Sequence, residues 1–358
     1  MNNLYNHINN IENDEFADFL NLSARLGMDP LLVQGAGGNT SIKLDDVLWV
    51  KASGFWLKNA QTQDMFVPLK LAEIRNKLRH GETALTEQEI LSEQNPHHLR
   101  PSIETTLHAL MDHKVVVHLH SINALTYAVR KNGRHDLEQL LADTNWSWVP
   151  YAKPGLSLTK AVQAVISEDH PDVILLSNHG ILLGANSVEE LEQLLDRIES
   201  RLFVAPRTIA NADMNALQVL ADNSHYRLPD NNEVHALALD KVAMAIAESH
   251  ALYPDHVVFL GAGPMASFHR DNFPSWCQSV EGQSLDVLPK IVLIENHGVL
   301  VRKDLSLGAH EMAQCLAALA IRLSDVEHLA FLEPAQEQEL LEWEAEKYRQ
   351  SLHKTSAV

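Results

Sequence analysis

Three histidines and one glutamate have the types and spacing of a catalytic metal site. His118 and His120 are separated by one residue in the segment VHLH, and His179 stands further along the chain in the segment NHG. Because side chains alternate faces along a β-strand, His118 and His120 are predicted to project to the same side and to share one cation. Glu104, in the segment PSIE upstream, adds a carboxylate. Three protein nitrogens leave one position of a tetrahedral Zn²⁺ open, which is typical of catalytic zinc.

The surrounding sequence predicts the elements that position these side chains. Residues 115–117 are all valine and predict a buried strand, so two polar side chains on one face at its end need a shared partner. Residues 173–176 and 181–183 predict two further strands, with His179 in the polar turn between them. Pro101 predicts the start of a helix that has Glu104 in its first turn.

A second group of residues has the composition of an anion-binding site. Residues 34–40 are rich in glycine, which lets backbone N–H groups approach an anion, although a glycine-rich turn by itself is more often only a tight turn. A hairpin is predicted from strands at 41–44 and 48–51. Ser53 and Ser102 add hydroxyl donors, and Lys51 is a candidate extra cation.

The bulk composition restricts the class of protein. The chain has 358 residues, 46% of them hydrophobic, and a formal net charge of −19, which opposes binding to a nucleic-acid backbone. No apolar run approaches the roughly 18 residues that a membrane span requires. The first residues are polar and acidic, unlike a secretory signal, so we expect a cytoplasmic protein. Two cysteines far apart predict neither a disulfide framework nor a thiolate zinc site.

The second half of the chain repeats part of the first. The pattern of residues 172–202 returns at a shift of 118 residues, from His179 to His297. We predict a catalytic domain at 1–205, a connecting segment at 206–232 and a smaller α/β domain at 233–358 that is a partial, diverged repeat. Since no HxH pair precedes His297, a structural turn is predicted there rather than a second metal site.

One further motif offers an alternative function. Residues 257–260 read as a strand followed by the glycine-rich sequence GAGPMA at 261–266, which fits the fingerprint of a dinucleotide-binding site. Pro264 weakens this interpretation, and a second strand that ends in an acid cannot be recognised downstream. An NAD-dependent oxidoreductase is therefore an alternative that requires a functioning dinucleotide fingerprint at Gly261.

The ordered motifs together resemble a known family. Five motifs in this order resemble the class II aldolase/adducin family: GAGGNTS at 35–41, KASG at 51–54, PSIE at 101–104, VHLHS at 117–121 and NHG at 178–180. Their exact residues are most similar to the aldolase part of bifunctional rhamnulose-1-phosphate aldolase/alcohol dehydrogenase proteins. The resemblance implies an α/β fold with a central, mainly antiparallel sheet flanked by helices. It also implies a cyclic tetramer with sites at subunit boundaries.

The resemblance also assigns roles to residues. It implies that His118, His120 and His179 bind Zn²⁺ or another divalent transition metal and that Glu104 is the catalytic acid/base. It implies a substrate-phosphate site at the residues Gly38, Asn39, Ser53, Gly54 and Ser102. Two features depart from the family pattern: Ile103 stands where the phosphosugar aldolases often have a second serine, and Tyr151 is only the nearest candidate for their tyrosine acid.

The main hypothesis is a metal-dependent lyase of the aldolase type. It would cleave or form a C–C bond in a small hydroxy-carbonyl compound, a sugar or sugar phosphate, through a zinc-stabilised enediolate. An epimerase or dehydratase on the same metal scaffold stays open, because these reactions share the metal and differ in the bond or proton that is handled. A noncatalytic, adducin-like interaction protein is a further alternative, which predicts missing metal ligands.

Overall fold

The computed structural model describes residues 13–222 and 224–343. These residues form two compact units: one comprises residues 13–128 and 132–203, and the other comprises residues 129–131 and 204–343. Among the described residues, no helix combines the length and apolar character that would let it span a membrane.

The first unit contains a seven-stranded sheet with helices packed on it. Its strands lie in the order β3-β2-β1-β4-β7-β6-β5, and the pairs are antiparallel except β5–β6. The strands are β1 (Asn39–Leu44), β2 (Val47–Lys51), β3 (Phe66–Lys70), β4 (Val115–Leu119), β5 (Trp146–Val149), β6 (Val173–Leu176) and β7 (Gly180–Ala185). The helices are α1 (Asn13–Met28), α2 (Leu71–Arg79), α3 (Thr105–Leu110), α4 (Ile122–Ala128), α5 (Gly133–Leu140), α6 (Leu156–Asp169) and α7 (Val188–Leu202).

The centre of this sheet is its most apolar part. Strand β4 is buried along its whole length, and Val116 packs with Ile174 and Leu182 against the helices α3 and α6. Helices α1, α4 and α7 also contact strands of this sheet. The predicted fold class, a mainly antiparallel sheet flanked by helices together with a smaller α/β unit, is confirmed.

The register of β4 decides which residues meet at the end of the sheet. His118 pairs with Asn39 of β1 on one side and with Leu182 of β7 on the other. Antiparallel pairing therefore brings the glycine-rich segment before β1 and the turn before β7 to the same end of β4.

The second unit is built on a four-stranded sheet in the order β8-β11-β10-β9. Its strands are β8 (Tyr226–Arg227), β9 (Ala266–Phe268), β10 (Ile291–Ile294) and β11 (Gly298–Arg302). Its helices are α8 (Met214–Asp222), α9 (Ala236–Leu239), α10 (Lys241–Ala247), α11 (Pro254–Leu260), α12 (Phe273–Ser279), α13 (Leu307–Ala320) and α14 (Pro334–Glu342). The predicted connecting segment, residues 206–232, thus holds α8 and β8, whose Leu217 and Tyr226 belong to the core of this unit.

The two sheets share a strand order. The order β8-β11-β10-β9 matches the order β4-β7-β6-β5 of the first unit, with a parallel outer pair in both. The turns match as well, because Asn178 and Asn296 both have positive φ, 54° and 59°. These correspondences support the interpretation of the second unit as a partial, diverged repeat, which remains a proposal.

The predicted strand at 257–260 is wrong. These residues belong to helix α11, which begins at Pro254 and buries Val257, Val258 and Phe259. A short apolar run is compatible with a strand or with a buried helix, and here the proline at the first helical position favours the helix. The glycine-rich segment after Gly261 therefore follows a helix, whereas a dinucleotide fingerprint requires a preceding strand.

Candidate metal centre

Three histidine rings converge at the end of strand β4. His118 lies in β4, His120 directly follows it, and His179 lies in the turn between β6 and β7. Their ligand atoms all lie within 4.8 Å of one another, and the three residues are buried, with exposures of 0%, 6% and 7%. The alternation of side chains along β4 thus places His118 and His120 together, as the sequence predicts.

The three rings fit a divalent transition metal. The Nε2 atoms of His118 and His120 are 3.2 Å apart, and a tetrahedral ion with bonds of about 2.0–2.1 Å separates its nitrogen ligands by about 3.3 Å. The Nδ1 atom of His118 lies 3.1 Å from the carbonyl oxygen of Ile181, so its N–H donates there and Nε2 keeps a free lone pair. Burial lowers the pKa of His118 to about 3, although the Glu104 carboxylate opposes the shift. The neutral ring is the form that binds a metal.

Glu104 borders the same centre. Its Oε1 is 3.2 Å from Nε2 of His179, and its Oε2 is 3.6 Å from Nε2 of His118. The side-chain amide of Asn39 donates to Oε2 at 2.7 Å. Burial opposes ionisation of Glu104, but the neighbouring His118, His179 and His120 outweigh it and hold the pKa below its ordinary value. The group is therefore a carboxylate at neutral pH.

The helix that carries Glu104 starts later than the sequence predicts. Helix α3 begins at Thr105, and Glu104 is its N-terminal flanking residue. Pro101 instead forms an antiparallel bridge with Ala52, and Ser102 donates its N–H to the carbonyl of Lys51 at 3.1 Å. Pairing with the end of β2 keeps residues 101–102 extended, so the prediction of a helix from Pro101 is wrong.

Gly180 lets the His179 turn approach β4. A Cβ atom built on Gly180 would lie 2.3 Å from the carbonyl oxygen of Leu119, and only glycine avoids this clash. On the other side of His179, the N–H of Asn178 donates to the carbonyl of Ala128 at 2.9 Å. The turn that presents His179 is therefore fixed from both sides.

A partly buried acid supports the segment after His120. Ser121 donates its hydroxyl to Oε1 of Glu199 at 2.5 Å, and Asn123 donates its side-chain amide to Oε2 at 2.8 Å. Burial raises the pKa of Glu199, while these two hydrogen bonds oppose the shift. Sequence reasoning missed this residue, because Glu199 lies far along the chain on α7 and its surroundings give no local signal.

The structure gathers the residues that the resemblance assigns to anion binding in neighbouring segments. Gly38, with φ of 63°, precedes Asn39 at the start of β1. The N–H of Ser53 donates to the carbonyl of Arg100 at 2.9 Å, which places Ser53 and Gly54 beside Ser102. The side chain of Asn39, however, contacts Glu104, so this residue lies between the anion segments and the histidines. Tyr151 is half-buried in the loop between β5 and α6.

The second unit has other residues at the positions of the first two histidines. Arg227 pairs with Val301, as Val117 pairs with Leu183 in the first unit. With Arg227 aligned to Val117, Leu228 and Asp230 occupy the positions of His118 and His120. His297 donates from Nδ1 to the carbonyl of Glu295 at 2.8 Å, which agrees with a structural turn.

Comparison with known proteins identifies the first unit. The family described as the class II aldolase and adducin N-terminal domain matches residues 17–203, more than half of the chain. The chain therefore belongs to the class II aldolase/adducin family. This agrees with the resemblance that the five sequence motifs carry.

Three individual proteins that this chain resembles share 17–27% sequence identity with it. The protein named uncharacterized oxidoreductase YuxG, from Bacillus subtilis (strain 168), is 27% identical over 253 residues, which cover 64% of this chain and 35% of the relative. The chain thus spans about a third of the length of that relative. The N-terminal class II aldolase domain of a conserved protein from Thermoplasma acidophilum is 26% identical, with a TM-score of 0.46, over 55% of this chain and 95% of that domain. A sugar-phosphate aldolase from Thermotoga maritima is 17% identical, with a TM-score of 0.40, over 51% of this chain and 89% of that protein.

Proposed function

We propose that the first unit is a metal-dependent lyase of the aldolase type that acts on a small hydroxy-carbonyl compound, a sugar or sugar phosphate. The observation that carries the proposal is the convergence of three buried imidazoles on one carboxylate, Glu104, at the end of β4. A histidine set retained in this arrangement favours an enzyme over a noncatalytic, adducin-like protein.

Zn²⁺ is the ion that we propose for His118, His120 and His179. Three imidazole nitrogens with an open position are the donor set of catalytic zinc sites, and the 3.2 Å between Nε2 of His118 and Nε2 of His120 suits two ligands of one tetrahedral ion. The ion supplies a Lewis acid that stabilises the negative charge developing on the substrate oxygens during C–C cleavage. All three rings are buried, and electrostatic interactions are stronger in a buried, low-dielectric site than in water.

Glu104 is the group that we propose for proton transfer. Its carboxylate is ionised, and Asn39 holds Oε2, so the side chain has a defined orientation towards a substrate bound at the histidines. In the direction of synthesis it takes a proton from the carbon beside the carbonyl, and in the direction of cleavage it returns that proton. Acid–base catalysis of this kind contributes about 10²–10⁴-fold to a rate.

Anion recognition is proposed for Gly38, Asn39, Ser53, Gly54 and Ser102. These residues offer backbone N–H groups and hydroxyls beside Glu104, which suits the phosphate of a sugar phosphate. Ile103 stands where the phosphosugar aldolases often have a second serine, so the proposed site has one hydroxyl donor fewer than theirs. We also expect a homo-oligomer, as the family resemblance implies.

Metal analysis and two substitutions test the proposal. Purified protein should contain one transition-metal ion per chain and should cleave a ketose phosphate or join an aldehyde with dihydroxyacetone phosphate. His118→Ala should lose the metal. Glu104→Gln should keep the metal and lose turnover by about 10²-fold or more. The matched control is Glu93→Gln, which changes an exposed glutamate of the same unit.

Two results would refute the proposal: protein without stoichiometric metal, or full activity of Glu104→Gln. The same substrate screen separates the related reactions, because an epimerase returns a stereoisomer and a dehydratase releases water from an intact carbon chain.

A further inference from the structure

The ammonium group of Lys51 is buried where two loops meet. Lys51 is the last residue of β2 and is 1% exposed. Its Nζ donates to the carbonyl of Ala36 at 2.7 Å and to that of Phe55 at 2.9 Å, and the carbonyl of Gly37 lies 3.5 Å away. One side chain therefore joins the glycine-rich loop before β1 to the loop after β2.

The backbone of the same residue holds a third segment. The carbonyl of Lys51 accepts the N–H of Ser102, and the next residue, Ala52, forms the bridge with Pro101. Lys51 thus contacts, through its side chain or backbone, each of the three segments that carry the proposed anion-binding residues. These are the segments of Gly38–Asn39, Ser53–Gly54 and Ser102.

The contacts of the ammonium exclude direct binding to a ligand. An ammonium has three N–H donors, and three carbonyl oxygens surround this one beneath the protein surface. Lys51 is therefore not the additional ligand-binding cation that the sequence suggests.

The carbonyls that face Lys51 also orient N–H groups. In a trans peptide the C=O and the following N–H point in opposite directions. A Gly37 carbonyl turned towards the ammonium directs the N–H of Gly38 away from it, and the Phe55 carbonyl does the same for the N–H of Trp56. The positive φ of Gly38, 63°, belongs to this loop conformation. The ammonium thus fixes the loop whose N–H groups the anion requires.

A buried ammonium is costly unless its hydrogen bonds are satisfied, and a methionine of similar length would fill the space without that cost. Methionine could not bind the carbonyls, however. We propose that Lys51 is a positioning residue that holds the three loops in the arrangement that binds a phosphate group of the substrate. This inference rests on the phosphate site of the proposed function and adds the residue that holds the loops of that site in place.

Inorganic phosphate is the probe that tests the inference. Its dissociation constant is measured by calorimetry on metal-loaded wild-type protein, Lys51→Met and Lys51→Arg, with metal content determined for each. The matched control is Lys58→Met, because Lys58 is exposed and lies over the ring of Trp56. Lys51→Met should weaken phosphate binding by about tenfold or more, because the loops lose the hydrogen bonds to the ammonium, and one hydrogen bond to a charged group corresponds to about a tenfold effect or more. Metal content and the control should be unchanged.

Lys51→Arg distinguishes the effect of the positive charge on phosphate binding from the effect of the three placed N–H donors. It also tests the inference if Lys51→Met does not fold. Arginine keeps the positive charge, but its planar fork cannot place three donors as an ammonium does. Weakened phosphate binding with full metal content supports the inference. Wild-type phosphate affinity in either variant, or no phosphate binding by the wild-type protein, overturns it. Neither result bears on the proposed metal chemistry, which fails only if the metal is absent or Glu104 is dispensable.

Discussion

Replacement of Gly180 by alanine should damage the metal centre without removing any ligand. The added Cβ would lie 2.3 Å from the carbonyl oxygen of Leu119, whereas ordinary contacts begin at 3.4 Å. The turn that carries His179 or the end of β4 must therefore move by about 1 Å, and metal sites tolerate only about 0.2 Å in a ligand distance. We expect metal affinity to fall by about 10–100-fold, the range found when ligand-orienting groups are lost.

The assay is competition with a chelator of known affinity, which gives the metal dissociation constant of wild-type protein and of Gly180→Ala. The control is Gly81→Ala, since Gly81 also has positive φ, 79°, but a Cβ there meets open space. Urea unfolding of the metal-free proteins measures the stability cost, which we expect to be about 1–3 kcal/mol for the crowded position. A wild-type metal affinity in Gly180→Ala would refute the view that glycine is needed for the close approach.

Two further predictions concern charged groups outside the metal centre. Glu199→Gln replaces the carboxylate that accepts hydrogen bonds from Ser121 and Asn123 with a neutral amide, and it should weaken metal affinity by up to about tenfold. The same chelator competition measures this affinity. The control is Glu189→Gln, at an exposed position of the same helix, which should leave metal affinity unchanged. Burial and the nearby Arg75 lower the pKa of Lys43 to about 7 against the opposing effect of Asp112, so the unfolded chain binds the proton more tightly. Below about pH 7 Lys43 is protonated in both states, and the folded protein bears the full cost of the buried charge. This cost disappears as the pH rises towards the ordinary lysine pKa, so the free energy of unfolding should rise with pH in this range. Lys43→Met should flatten that rise by a few kcal/mol in urea unfolding at pH 7 and pH 10; equal slopes for both proteins would contradict the assignment.

The sheet of the second unit has the same strand order as β4-β7-β6-β5 of the first, but other residue types stand at the positions of His118 and His120. Leu228 and Asp230 stand where the metal-binding pattern requires histidines, and His297 closes its own turn by bonding to Glu295. We propose that this repeat retained the strand order while the metal ligands were replaced. A catalytic role is therefore proposed only for the first unit.

Local sequence determined the parts of the site that depend on short-range geometry. The alternation of side chains along a strand is enough to place His118 and His120 on one side, and the turn between two apolar runs is enough to place His179 at a strand end. The order of the five motifs was sufficient to indicate the family. The placements of His118, His120 and His179 depend on residues close in sequence, where the backbone leaves few conformations available, whereas the family signal comes from the order of motifs across residues 35–180.

Only the tertiary structure decided which distant groups meet. The pairing of β1 with β4 brings Asn39 to Glu104, helix α7 brings Glu199 to Ser121, and the ammonium of Lys51 joins loops on either side of the first hairpin. The same holds for residues 257–260, whose apolar run suits a strand or a helix until its packing is known. Such contacts depend on strand register and on burial over the whole unit, which no short stretch of sequence encodes.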